Sequence, residues 1–426
     1  MLALKILRKG KFQKDYLSTV KYIPSFYNLE EVSGENHLIF NTATGALLKT
    51  SEGIDRIECF SNSQKVQLVN NGFLVPESTE EFIDYVAKIE SSNKEKPSVF
   101  TIIPTTACNA KCFYCYEEDY CKQTMSEKTI SDVVNYLVTN VQDKDNFVLD
   151  WYGGEPLLCV TEIDRIVQAI KAKINLKDKQ WESSITTNAT LFTPDLINKA
   201  VYDWNLKSAH ITIDGVEDDH NKRKNISLNG KSAFRSTFKA IYTLLQNNVY
   251  VNLRIHLDNN NKNDFGNILQ IVEPFFEFKN SNLFPTFLFP KEFYINKTYI
   301  CDDDKEELFY NVFKILNETG YSNLVDSFPY PKTCGCFATK SDTVVIAPNG
   351  SLHSCIQEFS NLEDWENDEK FLEYPSNIEC CKECKYFPIC LGGCIHNRYL
   401  QGTVRTPCVR NRYIIRPLLK LMSELL

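Results

Sequence analysis

From residue 99 to about 320 the chain alternates short β-rich runs with stretches of helical period. The runs lie at 99–104, 147–151, 184–188, 208–213, 249–257 and 283–289. Amphipathic stretches follow near 126–141, 161–174, 194–204, 232–247, 263–277 and 303–319. Strand–helix units in succession predict an α/β fold, a parallel sheet with helices outside. Six units fall short of the eight that close a TIM barrel, so a partial (β/α)6 TIM-type barrel with an open side is expected. Ahead of it, 37–49 reads as two short strands around a turn, and 51–60 and 79–90 read as helices, giving an N-terminal α+β module. The polar stretch 91–98 (SSNKEKPS) reads as a linker. Beyond about 327 periodicity fades, and little apolar core is expected there. The predicted parts are 1–95, 96–325 and 326–426.

Composition narrows the function classes. With 426 residues, 43% hydrophobic and 24% charged, the chain is ordinary for a globular protein. A net charge of −8 argues against general nucleic-acid binding. No apolar run is long enough to predict a membrane span, and the N-terminus lacks a cleavage-site pattern, so a cytoplasmic, reducing compartment is expected. The outlier is cysteine, 16 residues in two groups. Dense cysteine in a reducing compartment points to metal or catalysis rather than disulfides.

The first group follows the first strand as Cys108-x3-Cys112-x2-Cys115. Three thiolates on one loop suit a cubane iron–sulfur cluster and leave one iron open to a ligand. A zinc site would need a fourth ligand, and Cys121 stands at an odd spacing for it. This stretch resembles the signature of the radical S-adenosylmethionine (SAM) enzymes, C-x3-C-x-aromatic-C, matched by Cys108, Cys112, Tyr114 and Cys115. The resemblance implies that the open iron binds the amino and carboxylate groups of SAM. One electron then cleaves SAM, and a 5′-deoxyadenosyl radical takes a hydrogen atom from the substrate.

Further motifs lie at predicted strand ends. Gly153-Gly154-Glu155-Pro156 follows the second strand. Its glycines allow close backbone approach, and its carboxylate could hold an ammonium group; it resembles the family's G-G-E motif, which meets the SAM amino group. Thr187-Asn188 resembles a T-N-G segment, with Ala189 in place of glycine. Ile213-Asp214-Gly215 resembles an S-x-D-G segment, with Thr212 in place of serine. Arg254 on the fifth strand is either a contact for the SAM carboxylate or a core-edge arginine. Glu117, Asp214 and Tyr116 are candidates for a general base by proximity to the barrel top.

The second group reads Gly350-x4-Cys355, then Cys381-x2-Cys384-x5-Cys390-x3-Cys394, then Cys408, with Cys334 and Cys336 upstream. It resembles the SPASM extension of radical SAM enzymes, which implies two auxiliary [4Fe–4S] clusters, three clusters in all. Carried over, Cys355, Cys394 and Cys334 or Cys336 hold one, and Cys381, Cys384, Cys390 and Cys408 the other. A zinc ribbon on a partner-binding scaffold is the non-enzymatic alternative.

SPASM proteins mostly modify peptides or proteins. One branch makes formylglycine in sulfatases and carries an aspartate directly after the G-x4-C cysteine, where this chain has Ile356. The other matures ribosomally made peptides (RiPPs), and the module around Leu38-Ile39-Phe40-Asn41 loosely resembles its leader-binding region. The expected function is therefore a peptide maturase installing a thioether or carbon–carbon crosslink. Its expected partners are a precursor peptide and a flavodoxin- or ferredoxin-type electron donor.

Overall fold

The computed structural model describes residues 3–10, 16–93, 98–118, 120–228, 230–278, 283–288, 302–339, 343–357, 379–394, 396 and 411–425. By packing, the chain forms two units: 1–96 with 301–340 and 364–426, and 97–300 with 341–363.

In the first unit, β1 (Leu4–Arg8), β3 (Asn28–Ser33), β4 (Asn36–Asn41) and β5 (Leu47–Thr50) form an antiparallel sheet in the order β1-β5-β4-β3, and β2 (Tyr22–Pro24) pairs with β6 (Leu74–Pro76). The strands expected within 37–49 are β4 and β5. The helix expected at 51–60 is absent; only a 3-10 turn, Ile57–Cys59, forms there. The helix starts one cap later, as α1 (Asn62–Asn70), because Ser61 accepts from the Gln64 amide while the Gln64 side chain accepts from the Ser61 amide. Helix α2 (Glu81–Asn93) follows. Ile39, Leu48, Ile54, Phe60, Leu68 and Phe73 pack the core of this module.

Two expectations change in this unit. The sixth helix of the repeat forms as Asp302–Glu318, yet it belongs to this unit and packs against the C-terminal helix Asn411–Leu425. The tail therefore does contribute apolar core: Ile415, Leu418, Leu419 and Met422 are buried with Leu308, Phe309, Val312 and Leu316.

Arg8 ties the chain's start to residues 325–330. Its guanidinium donates to the carbonyls of Gly45 (2.6 Å), Phe328 (2.8 Å), Pro329 (3.2 Å) and Val325 (3.3 Å), and lies over the Tyr330 ring. Every acceptor is neutral, so the cation is solvated by carbonyl dipoles and aromatic faces.

The second unit is the expected open barrel. Strands β7 (Ser98–Ile102), β8 (Asn146–Trp151), β9 (Gln180–Thr187), β10 (Leu206–Ile213), β11 (Tyr250–His256) and β12 (Leu283–Leu288) lie side by side, all parallel. Helices α3 (Glu127–Val141), α4 (Val160–Lys173), α5 (Pro194–Tyr202), α6 (Glu217–Lys224), α7 (Ala233–Gln246) and α8 (Phe265–Val272) connect them. The sheet gains strands from the tail: β13 (Thr343–Ile346) runs parallel on β7, and β14 (Leu352–His353) pairs antiparallel with β13. Along β10 and β11 the faces alternate. Ala209, Ile211, Ile213, Val251, Leu253 and Ile255 are buried, while His210, Thr212, Asn252, Arg254 and His256 take the other face. One face of these strands is thus polar, unlike the branched apolar filling of a closed barrel.

Replacing Arg8 by Ala leaves four carbonyls without their donor and is expected to destabilise the first unit by about 3 kcal/mol, read as faster amide exchange in β1 and β5 and a lower melting temperature.

Candidate functional site

The site forms at the C-terminal ends of β7 to β11. Past β7 the chain runs through Thr105-Thr106-Ala107 into the cysteine loop, and the Gly153-Gly154 segment after β8 lies directly against it. The Gly154 amide donates to the Thr105 carbonyl (3.1 Å), and the Glu155 amide to that of Ala107 (2.9 Å). A Cβ on Gly154 would stand 2.4 Å from the Ala107 oxygen, and one on Gly153, whose φ is +118°, would stand 2.4 Å from the Thr105 oxygen. The glycines thus serve a backbone-to-backbone contact that seats the cysteine loop.

Glu155 is fully buried and satisfied within the protein. Its carboxylate accepts from the Leu157 amide (3.0 Å), the Thr187 hydroxyl (2.7 Å) and the Asn188 amide (2.9 Å). Burial raises its pKa, and these donors oppose the rise. Asn188 in turn donates its side-chain amide to Asn109, inside the cysteine loop (2.8 Å). Ala189, at the position where the resemblance has glycine, adopts the left-handed conformation glycine would take (φ 63°), with its amide on the Thr187 hydroxyl (2.9 Å).

Opposite them, Asp214 is fully buried at the end of β10. Its carboxylate accepts from the Tyr114 hydroxyl (2.6 Å) and stands 3.3 Å from the Lys224 ammonium and 3.2 Å from His256 Nδ1. Lys224 also donates to the Tyr114 hydroxyl (2.9 Å). Burial alone would raise the Asp214 pKa, but Lys224 and His256 outweigh it and hold the carboxyl far below the usual carboxylate range. Burial likewise acts to lower the Lys224 pKa, yet Asp214 and the neighbouring thiols leave it raised. Lys224 ends α6, a charged stretch (EDDHNKRK) that sequence reasoning did not single out. Its carbonyl accepts from the Lys111 amide (3.0 Å), and the Cys112 sulfur lies 3.9 Å from it.

The remaining sequence-predicted residues are placed as follows. Tyr114 joins the cysteine loop to Asp214. Glu117 is buried with one carboxylate oxygen lacking a hydrogen-bond partner, and burial pushes its pKa up to about 7. Arg254 projects from the polar face of β11, half-buried and without a hydrogen bond or ion pair among the described residues. Asp150 on β8, missed in the sequence, is half-buried and accepts from Ser184 (2.5 Å) and Thr101 (3.2 Å).

The three loop thiols are half-buried. Burial pushes Cys108 to about 12 and Cys115 to about 11. The Cys108 sulfur accepts from the Ala110 amide (3.3 Å), and Lys224 opposes the effect of burial at Cys112. An all-sulfur donor set with amide donors and a buried cation beside it fits an iron–sulfur cluster, whose binding would release the thiol protons. Among the described residues, no three Cys, His, Asp or Glu side chains converge as ligands of one ion would. Thiolates around a four-iron body stand farther apart than around one ion.

In the first unit Cys381 and Cys384 pack with Tyr27, Tyr85, Phe387 and Leu391. Burial pushes the Cys381 thiol to about 12, and Cys380, Cys390 and Cys384 are close enough to add to the rise. Cys334, Cys336 and Cys394 are half-buried in the same unit, Cys355 in the other, and Cys408 lies outside the described residues.

Residues 102–272 match the model of the Radical SAM superfamily. Over that stretch, about two fifths of the chain, it is similar to the radical SAM enzymes. This likeness implies SAM and a [4Fe–4S] cluster. An uncharacterized protein of Methanocaldococcus jannaschii is 30% identical over 158 residues, 37% of this chain and 52% of that one. A cysteine-type anaerobic sulfatase-maturating enzyme of Clostridium novyi (strain NT) is 24% identical over 333 residues, 68% of this chain and 86% of that one. Among solved structures, anSMEcpe with bound AdoMet and Cp18Cys peptide shares the fold at a TM-score of 0.56 and 18% identity, over 77% of this chain and 96% of that one. SuiB of Streptococcus suis bound to precursor peptide SuiA shares it at 0.52 and 14% identity, over 90% and 98%. No helix among the described residues is long and apolar enough to cross a membrane.

Two outcomes test the radical SAM site. Gly154→Ala drives a Cβ into fixed backbone and is expected to cut iron retained by the cysteine loop several-fold, read by metal analysis. The half-buried imidazole of His210 and the buried one of His220 are pushed down to about 4, by desolvation first and then by Arg254 and Lys224 respectively. Unfolded histidines titrate near ~6.5, so unfolding takes up protons between that pH and about 4, and stability falls as pH falls through this window. His210→Asn is expected to flatten part of that slope in melting temperatures taken across it.

Proposed function

We propose that the chain is a peptide-modifying radical SAM enzyme that installs a crosslink in a ribosomally made precursor, with a thioether the favoured bond and a carbon–carbon bond second. The carrying observation is the pairing of the radical SAM match with a second cysteine set of SPASM spacing, in which Cys384 and Cys390 stand close enough to Cys381 to help raise its pKa. The likeness to SuiB, which spans 90% of this chain and was solved with a precursor peptide, supports that reading. So does the α+β module within residues 1–95, which we assign to leader docking.

In this reading Cys108, Cys112 and Cys115 hold the SAM-binding cluster. Tyr114, Gly153, Gly154, Glu155, Thr187 and Asn188 shape the SAM pocket around it. Arg254, which makes no hydrogen bond or ion pair among the described residues, meets the SAM carboxylate. When bound, SAM and the reduced cluster supply a carbon-centred radical for hydrogen-atom abstraction. Both carboxylates expected as bases have one oxygen without a hydrogen bond, but burial raises the Glu117 pKa to about 7, whereas the other oxygen of Asp214 is on Tyr114 and Lys224 and its pKa is held far down, so Glu117 is the better base. Two auxiliary clusters on the second cysteine set and a flavodoxin- or ferredoxin-type donor complete the assignment.

A sulfatase-type maturase is the second reading, favoured by the Clostridium novyi relative. Ile356 argues against it, because no carboxylate follows Cys355 directly.

Anaerobically reconstituted protein is expected to hold about 12 iron per chain, falling to about 8 when Cys108, Cys112 and Cys115 are all changed to Ala, and to form 5′-deoxyadenosine from SAM and dithionite only with those cysteines present. About 4 iron accompanied by zinc would remove the auxiliary clusters and the case for crosslinking. No iron would overturn the whole assignment.

A further inference from the structure

The cysteine loop does not end at Cys115. Residues 116–118 and 120–125 return along the first strand's extension, with the Thr106 amide on the Gln123 carbonyl (2.9 Å) and the Met125 amide on the Pro104 carbonyl (2.9 Å). This return carries two tyrosines whose rings meet edge to face, Tyr116 and Tyr120 (centroids 6.2 Å apart). Both hydroxyls leave the loop for the same target. Tyr116 lies 3.3 Å from the Ile356 carbonyl and 2.9 Å from the Tyr152 hydroxyl, and Tyr120 donates to the Gln357 carbonyl at 3.0 Å. Tyr152 in turn follows β8 and has its amide on the Ile102 carbonyl (3.0 Å).

The target is a tight turn built on a cysteine. The Gln357 amide donates to the Cys355 sulfur at 3.4 Å, the same residue-to-residue-plus-two arrangement as Ala110 on Cys108 (3.3 Å). The Gln357 carbonyl is thus held by Tyr120, and the Ile356 carbonyl by Tyr116 in the arrangement in which Tyr152 supplies the proton between the two hydroxyls, while the sulfur is held by the turn's own amide.

We propose that Tyr116 and Tyr120 are positioning residues for Cys355. Together they set where that thiol stands relative to Cys108, Cys112 and Cys115. Hydroxyl-to-carbonyl bonds are directional, and two of them on consecutive carbonyls fix both the place and the tilt of the turn. The route between Cys115 and Cys355 is short: one peptide link to Tyr116, one hydrogen bond to Ile356, and one peptide link back. Shape alone would be served by phenylalanine, which keeps the ring contact. The hydroxyls are what reach the turn. Cys355 as a ligand of an auxiliary cluster rests on the function proposed above; the clasp itself rests on these contacts.

The test compares the anaerobically reconstituted wild type with a Tyr116→Phe, Tyr120→Phe double variant. Amide exchange of residues 353–357, followed by mass spectrometry, is expected to quicken about tenfold or more while β8 and β9 are unchanged. The electron paramagnetic resonance signal that responds to SAM, which reports the cysteine loop, is expected to persist, whereas the auxiliary signal changes line shape. Unchanged exchange at 353–357 together with an unchanged auxiliary signal would overturn the proposal. If the double variant does not fold, Tyr120→Phe alone decides it by the same exchange measurement, since its ring still packs on Tyr116. A wild type with only about 4 iron would defeat the auxiliary-cluster reading and not the clasp, which the exchange rates then settle by themselves.

Discussion

The candidate site depends on one buried charge. Asp214 has no solvent contact, and an isolated carboxylate there would be too costly to keep ionised. It is kept so by Lys224, His256 and the Tyr114 hydroxyl, which come from α6, the end of β11 and the cysteine loop. The carboxylate therefore draws three separate parts of the chain to one point at the end of β10. The Lys224 ammonium also eases ionisation of Cys112, against burial and Asp214, which together keep that thiol's pKa raised. Breaking one partner would leave the other as an uncompensated buried charge, so the group holds or fails as a unit.

A second constraint acts on the far side of the loop, where backbone meets backbone. Gly153 and Gly154 let the turn after β8 lie on residues 105–107, and Glu155 then reaches the end of β9. Motif residues expected to touch the cofactor are thereby also the framework that gives the loop its shape. The two roles are compatible, since a carboxylate fixed by three donors presents its neighbours in one geometry.

Much of the barrel was legible because its strands and helices differ in period. All six expected strands appear, within a few residues at most ends, and the cysteine spacing marked the loop on which the site's contacts converge. What escaped reading had no local signature. Lys224 looks like any surface lysine in a charged octet, and only the fold reveals that it is buried. Strand β13 is four residues long and earns its place through β7, about 240 residues earlier in sequence. The false helix at 51–60 fell to a competing cap at Ser61. The missed core in the tail arose because its helix buries its apolar stripe against Asp302–Glu318, a partner the barrel pattern had claimed. Asp150 and His210 were passed over since polar residues on alternate strand positions read as solvent-facing, whereas here they take the polar side of an open barrel.

The pairing of β13 with β7 also sets an order of events in biosynthesis. Strand β7 leaves the ribosome early and leads straight into the cysteine loop, but its outer edge stays unpaired until Thr343–Ile346 has been made. For most of translation the loop therefore hangs from a strand with a neighbour on one side only. Its final frame comes after the rest of the barrel has emerged. The frame of the loop is in this sense finished by a segment made about 240 residues after the strand from which the loop hangs.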